Sequence, residues 1–287
     1  MASTAAFVGS VPENYHRYLG PLLFEPYARD LAARLAIAPG GRVLEVACGT
    51  GIVTRAVASG LPAGAKLVAT DLNQAMIDEA RRQVPAEMLN APSARRHETS
   101  GSGDATSSRV TLRTADAQQL PFADGPFDAV FSQFGVMFFP DKVRAMREAR
   151  RVLAPRGRFL FNVWESLDRN PMSRTVFETM VRLFPSNPPD FLKTPFGWFD
   201  RAEIERVVRA GGFANVTMET VAFPSVAPTA DDAARGFVEG SPMSGQLTER
   251  GVSDFGPVRR AVAEALGDRH GRAPCQAPME AIVVTAG

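Results

Sequence analysis

The sequence predicts an α/β fold built on a doubly wound, mostly parallel sheet. Three observations carry this. Short apolar runs recur at 42–47, 65–70, 109–115, 127–132 and 158–164, and helical periodicity separates most of them. A glycine turn, Gly49-Thr50-Gly51, stands between the first run and a helical pattern. Asp71 follows the second run, about twenty residues beyond the turn, the offset of an acid that accepts from ribose hydroxyls. Strands and helices alternating with right-handed crossovers place such runs side by side in one sheet.

Residues 1–11 show no pattern and are expected to fray. Residues 12–36 read as helical in two pieces, separated at Gly20-Pro21, with Tyr27, Leu31 and Leu35 along one face. Ala38-Pro39-Gly40-Gly41 ends that segment and leads into the first strand, whose apolar run is Val43-Leu44-Glu45-Val46. Glycines in the following turn let the backbone reach positive φ and let a ligand approach the main chain. The helix behind it, 51–59, offers unpaired N–H groups and about half a positive charge, which suits a carboxylate or phosphate.

After Asp71, Asn73 can cap a helix carrying Met76 and Ala80 that fades at Gln83-Val84-Pro85. Residues 85–108 are rich in Ser, Ala, Arg, Gly and Thr without apolar period, and are expected to be a flexible insertion. Arg95, Arg96 and Arg109 are expected to be solvated. The third strand ends at Asp116-Ala117 and the fourth at Ser132, with Gln133 beyond it. A helix capped at Asp141 should run to Ala154 and close at Pro155-Arg156-Gly157, before the fifth strand. Residues 166–199 are rich in Pro, Phe and polar residues, with one helical patch at 172–183. A segment inserted there can cover the crevice at the strands' carboxyl ends, so it is expected to be a substrate cap. Asp200-Arg-Ala-Glu203 reads as a capping box. A sixth strand (215–223), two helical stretches (230–239 and 258–266) and a last strand (279–285) complete the chain.

The dinucleotide pattern G-x-G-x-x-G would fall on Ala47, Gly49 and Ile52, and fails at two of its three positions. What stands there is Glu45-x-Ala47-x-Gly49-x-Gly51. It resembles motif I of the class I S-adenosylmethionine-dependent methyltransferases, with Ala47 in place of the first glycine. Asp116-Ala117 resembles the acid-Ala motif that holds adenine in that family. The run Arg151-Val-Leu-Ala-Pro-Arg-Gly-Arg-Phe159 resembles the family's post-motif, with Arg156 in place of a glycine. Within that family the chain resembles the ubiquinone/menaquinone-biosynthesis methyltransferases.

The resemblance implies a Rossmann-like sheet of seven strands, the last antiparallel beside the fifth, and an N-terminal helical lid (1–39); with the cap (166–199) read above, the rest of the chain is expected to be a cofactor-binding core (40–165) and a C-terminal part of that core (200–287). It implies S-adenosyl-L-methionine as cofactor. Ala47, Cys48, Gly49 and Gly51 would line its methionine end, and Glu45 would orient the turn and the amino group. Asp71 would take the ribose hydroxyls, with Leu72 and Met76 flanking the ring. Asp116 and Ala117 would hold adenine, and Gln133 would face the methionine portion. The expected activity is methyl transfer to a small, apolar or aromatic molecule; Phe131, Phe134, Phe138, Phe139, Phe196 and Trp198 hint at such a pocket. Tyr15, His16, Tyr18 and Glu165 are the candidate proton acceptors. Cys48, near a helix N-terminus, has no histidine beside it in sequence to suggest a nucleophile.

Two readings of other classes stay open on the sequence: an NAD(P)-dependent oxidoreductase, and a non-enzymatic S-adenosylmethionine-binding regulator. A base methyltransferase would carry Asp/Asn-Pro-Pro-aromatic after strand four, where this chain has Ser132-Gln133-Phe134-Gly135. A formal charge of +1 argues against a nucleic-acid surface. Three scattered histidines and two cysteines suggest neither a metal site nor a disulfide framework. Without a basic, apolar leader or a run of about 18 apolar residues, the expected compartment is the cytoplasm.

Overall fold

The computed structural model describes residue 9 and residues 11–89 and 109–287. Arg95 and Arg96, most of the expected insertion and nearly all of the expected frayed end lie outside these. Among the described residues the sheet has seven strands: β1 (Arg42–Val46), β2 (Lys66–Asp71), β3 (Val110–Thr114), β4 (Phe127–Gln133), β5 (Leu153–Trp164), β6 (Val216–Ala227) and β7 (Cys275–Ala286). Their order is β3-β2-β1-β4-β5-β7-β6. β1 to β5 pair in parallel, while β7 runs antiparallel between β5 and β6. Chain order reverses between β1 and β4, so their carboxyl ends form the crevice where open α/β sheets bind ligands.

The interior of this sheet is almost wholly apolar. Val43, Leu44, Leu67, Val110, Val130, Phe131 and Phe161 are fully buried, as strands covered on both faces require. Glu45 is the exception inside β1, at 1% exposure.

Gly20-Pro21 does not separate two helices, as the sequence suggested. α1 (Val11–Asn14), a π-helical stretch (Tyr15–Phe24) and α2 (Glu25–Arg34) follow without a break. Pro21 lacks an N–H and its ring clashes with the preceding turn of an α-helix. The wider π turn accommodates it, and the Glu25 N–H reaches back five residues to the Gly20 carbonyl. The fully buried Tyr27 anchors α2 to the sheet, its hydroxyl 3.1 Å from the carbonyls of both Val221 and Met279.

α3 (Ile52–Ser59) follows the glycine turn, and α4 (Gln74–Gln83) opens with the Asn73 side chain accepting from the Ala75 N–H. α5 (Lys142–Val152) ends two residues before the expected Ala154, and β5 begins at once at Leu153. The reason is pairing: Leu153 sits opposite Phe127, and a register shift between Phe127 and Ala129 absorbs the turn residues. Arg109 is not merely solvated; its Nη2 donates to the Pro62 carbonyl at 2.8 Å and also to that of Leu61.

α6 (Pro171–Leu183) lies in the segment expected as a cap, followed by α7 (Arg201–Ala210). Asp200 caps α7 through Oδ1, but Glu203 pairs with Arg206 at 2.8 Å, so only one half of the expected capping box is built. Between β6 and β7 lie α8 (Ala230–Glu239), α9 (Met243–Glu249), which the sequence reading missed, and α10 (Gly256–His270). α8 packs on the π-helical stretch and α10 on α6 and α8, so these helices join the N-terminal helix in one layer. Among the described residues, no helix is long and apolar enough to cross a membrane.

Candidate functional site

β1 delivers its chain end into a loop whose conformation few sequences can take. Ala47 (φ 56°), Gly49 (φ 56°) and Gly51 (φ 80°) are all left-handed. A Cβ on Gly51 would lie 3.0 Å from the Ala80 Cβ, so that glycine lets the loop sit against α4. A Cβ on Gly49 would meet nothing within 4 Å, which leaves its outer face open to a ligand. Gly135 is forced for a third reason: a Cβ there would come 2.5 Å from the Ala47 Cβ.

Asp71, at the end of β2, ties this loop to the neighbouring strand. Its Oδ2 accepts from the Gly49 N–H at 2.9 Å and its Oδ1 from the Asn73 N–H at 2.8 Å. Burial raises its pKa, and the backbone donors oppose that shift. Glu45, in β1, meets α3, where the Thr54 hydroxyl donates to its Oε2 at 2.6 Å. Burial is the main cause that pushes its pKa up to about 8, with the nearby Asp71 charge adding to it.

A cavity of about 30 Å³ lies between this loop and the N-terminal helix, lined among others by Tyr15, Phe24, Glu45, Ala47, Gly49 and Gln133. Cys48 lines it too, and burial holds its thiol well above its ordinary pKa, the opposite of what a nucleophile needs. Gln133 donates from Nε2 to the Phe24 carbonyl at 3.1 Å, while its buried Oε1 has no partner among the described residues. Beyond Gln133, Phe134 is a second left-handed non-glycine residue, at φ 51°. Its N–H is held by the Asn162 Oδ1 at 3.0 Å, and its ring stacks on Trp164 at 3.8 Å. Tyr15 stacks on Phe24 at 4.8 Å, and Phe24 in turn meets Phe134 and Trp164. An aromatic wall thus adjoins the polar loop.

The candidate residues from the sequence are therefore partly gathered and partly dispersed. Glu45, Ala47, Cys48, Gly49, Gly51, Asp71 and Gln133 meet around the loop. Tyr15 joins them, but its burial raises its pKa, so the phenol keeps its proton. His16 Nδ1 lies 3.2 Å from the Thr50 Oγ1, and burial, then the Arg55 charge, lower its pKa. Tyr18 turns away: its hydroxyl accepts from Arg235 at 3.1 Å and its ring packs beneath Arg17 and Arg235. Glu165 pairs with Arg201 at 3.5 Å. Asp116 ends β3's loop and accepts from the Gln118 N–H at 2.8 Å, the turn expected of an Asp there. Leu72 stands 57% exposed beside Asp71, whereas Met76 is buried at 4%. Of the aromatic residues noted in the sequence, Phe131 is fully buried core. Phe138 stacks on Phe191 at 6.1 Å, Phe139 accepts from Lys142 at 3.0 Å, and Phe196 packs on Trp164 at 5.6 Å. Trp198 stacks over Phe161 at 6.4 Å. Sequence reasoning missed Phe24, Asn162 and Trp164; a buried Asn inside an apolar strand was the available signal for Asn162.

The donor and acceptor set fits an adenosyl amino acid. Glu45 and the Gln133 Oε1 can accept from an ammonium, Asp71 from ribose hydroxyls, and the open face of Gly49 admits close approach. Among the described residues, no group of three His, Cys, Asp or Glu could hold a metal ion.

A family model described as a methyltransferase domain matches residues 44–161. A demethylmenaquinone methyltransferase of Parafrankia sp. is 34% identical over 201 residues, spanning 64% of this chain and 74% of that protein. A ubiquinone/menaquinone biosynthesis C-methyltransferase of Geobacter sp. is 31% identical over 158 residues, 54% of this chain and 60% of that protein. The chain spans between 49% and 60% of the length of three such C-methyltransferases. In fold it resembles a solved phosphoethanolamine N-methyltransferase 2 of Haemonchus contortus in complex with phosphomonomethylethanolamine and S-adenosylhomocysteine. The TM-score is 0.57 at 17% identity, over 96% of this chain and 56% of that one.

Proposed function

Because this chain belongs to the class I S-adenosylmethionine-dependent methyltransferases, we propose that it transfers a methyl group from that cofactor to a small, apolar or aromatic molecule. A quinol-type ring is the acceptor class that the names of the relatives support. The observation that carries this reading is the shared cavity, whose polar floor is the Glu45–Gly51 loop and whose opposite wall is Tyr15 and Phe24.

When bound, the cofactor supplies a methyl group already activated by its sulfonium. What remains for the chain is to bind, align and exclude water. Gly49, Glu45, Gln133 and Asp71 hold the amino acid and the ribose, and Asp116 with Ala117 holds adenine. The aromatic wall orients the acceptor ring against the methyl. Such alignment removes about 7–11 kcal/mol of barrier. If the acceptor is already acidic, no base is needed. Tyr15, which keeps its proton, then serves through shape rather than proton transfer.

On this reading the N-terminal helix is a lid. Small-molecule sites occupy about 300–1,000 Å³, so the cavity of about 30 Å³ must widen to admit the ligand. The widening moves Tyr15 and Phe24 and breaks the contacts that hold them, namely Gln133 to Phe24 and Arg55 to Glu25, the latter at 3.3 Å. The segment 166–199 and the helices between β6 and β7 form the rest of the cover. The near-neutral charge supports a small-molecule partner rather than nucleic acid.

The test is label transfer. Methyl-labelled S-adenosylmethionine is incubated with a panel of hydroquinones, phenols and enols, and products are read by mass. A product one methyl heavier is expected. Thermal unfolding gives the binding control, since ligand at a hundredfold over its Kd stabilises by about 2.7 kcal/mol. Stabilisation by NAD but not by S-adenosylhomocysteine would sink the proposal.

A further inference from the structure

Among the described residues, the small cavity is lined by two acceptors and by no basic side chain. Glu45 is 1% exposed, and among the described residues the Thr54 hydroxyl donates to its Oε2 at 2.6 Å. Gln133 lines the same cavity, and its buried Oε1 has no partner among the described residues. The groups facing Glu45 come from every side. Thr54 stands on α3, Tyr15 on the π-helical stretch, Cys48 on the loop, and Asp71 at the end of β2. None is basic. Arg55, one residue beyond Thr54, is paired with Glu25 at 3.3 Å. His16 is engaged at Thr50.

A carboxylate in such surroundings loses its hydration and gains no countercharge, so burial favours the protonated acid. A carboxylic acid there still accepts from Thr54 through Oε2. An ammonium brought into the cavity changes the balance, because an opposite charge within about 4–6 Å favours the ionised form.

Resting on the methyltransferase reading, we propose that cofactor binding at this site is a proton exchange. The α-ammonium of the bound nucleoside docks between Glu45 and the Gln133 Oε1, and the proton held by Glu45 leaves to solvent. The step balances: a neutral acid and a free ammonium become a carboxylate–ammonium pair and one released proton. The energetic reason is that a buried ion pair with its hydrogen bonds satisfied is tolerated, whereas a lone buried charge is not. The elevated pKa of Glu45, about 8, sets the range in which the exchange is visible.

The sign follows from linkage. Binding that releases a proton tightens as pH rises, so the Kd for S-adenosylhomocysteine should fall about tenfold per pH unit between pH 6 and 7 and level off above about 8. The test is titration calorimetry of the full chain with S-adenosylhomocysteine at pH 7, in buffers of differing ionisation heat. The slope counts protons, and a release close to one is expected. Methylthioadenosine, which has adenosine and sulfur but no amino acid, should bind with no proton release and no pH slope. Glu45→Gln should bind S-adenosylhomocysteine more weakly and lose the slope.

Each other outcome is decisive. Binding of S-adenosylhomocysteine with no proton release overturns the inference while leaving the methyltransferase reading intact. An equal slope for methylthioadenosine assigns the proton to Asp71 instead, and also overturns it. Failure of the wild-type chain to bind either nucleoside overturns the underlying reading.

Discussion

The Asp71 carboxylate accepts the Gly49 N–H at 2.9 Å, joining the end of β2 to the loop after β1. One side chain thereby shapes the loop and stands where a ribose would be gripped. Asp71→Ala removes the carboxylate that accepts from the backbone N–H groups of Gly49 and Asn73. Hydrogen bonds to a charged acceptor are worth about 1.5–3 kcal/mol each, less here because the carboxylate is buried at a cost. The expected outcome is a loss of roughly 1–3 kcal/mol of stability together with loss of the S-adenosylhomocysteine-induced rise in Tm. Thermal unfolding measures both, and a rise as large as that of the wild type would refute the assignment.

Gly49 and Gly51 should respond differently to alanine. Both adopt positive φ, which costs a non-glycine residue roughly 1–2 kcal/mol. At Gly51 the new methyl would also press on Ala80, so Gly51→Ala should cost about 2–3 kcal/mol. Gly49→Ala should cost only the backbone strain, because its methyl meets no protein atom. It should nonetheless weaken S-adenosylhomocysteine more than tenfold, since the methyl occupies the ligand's approach. Paired denaturant and calorimetric titrations separate the two.

Glu45 makes stability itself depend on pH. Its folded pKa of about 8 lies above the unfolded value of about 4.3. The folded chain therefore binds the proton more tightly. Stability is greatest below the unfolded value and falls as pH rises from about 4.3 to about 8. The loss is on the order of 3–5 kcal/mol across that window. Glu45→Gln keeps an acceptor for Thr54 and carries no charge. Its stability relative to the wild type should rise between pH 5 and pH 8, and urea unfolding at the two values tests this.

Phe134 depends on Asn162. The Asn162 Oδ1 satisfies the N–H of a left-handed Phe134, whose ring lies flat on Trp164. Asn162→Ala leaves the buried amide with the Asn162 backbone carbonyl alone, at 3.1 Å. A cost of about 1–3 kcal/mol follows. On the proposed function, turnover should fall further than stability explains, because the loop after β4 carries the aromatic wall. Activity well below the folding midpoint provides the check.

Gln133→Leu removes the bond to the Phe24 carbonyl. Hydrogen exchange of the amides at Tyr15–Phe24 should quicken in this variant, with the sheet unaffected, if that bond latches the lid. Unchanged exchange there would place the latch elsewhere.

Much of this was legible from residues alone. The parallel strands announced themselves as apolar runs, because a strand covered on both faces admits little else. The loop was legible because positive φ favours glycine, which stands at two of its three left-handed positions, and Asp71 because its offset from that loop is set by one strand–helix–strand unit. Asn73 and Asp141 marked helix starts, each capping with its own side chain.

Tertiary structure decided what local pattern does not encode. Gly20-Pro21 looked like a break, yet packing beneath α8 keeps the helix continuous through a π turn. Ala154 looked helical, yet pairing of Leu153 with Phe127 claims it for β5. Tyr15 and Tyr18 are equivalent by sequence, but three residues of helix turn one toward Gly49 and the other toward Arg235. Asn162 and Trp164 acquire their roles only because β5 lies beside β4 with Gln133 opposite Asn162. The physical reason is common to these cases: composition and periodicity set which residues are buried, while the partner each buried group meets depends on segments distant in the chain.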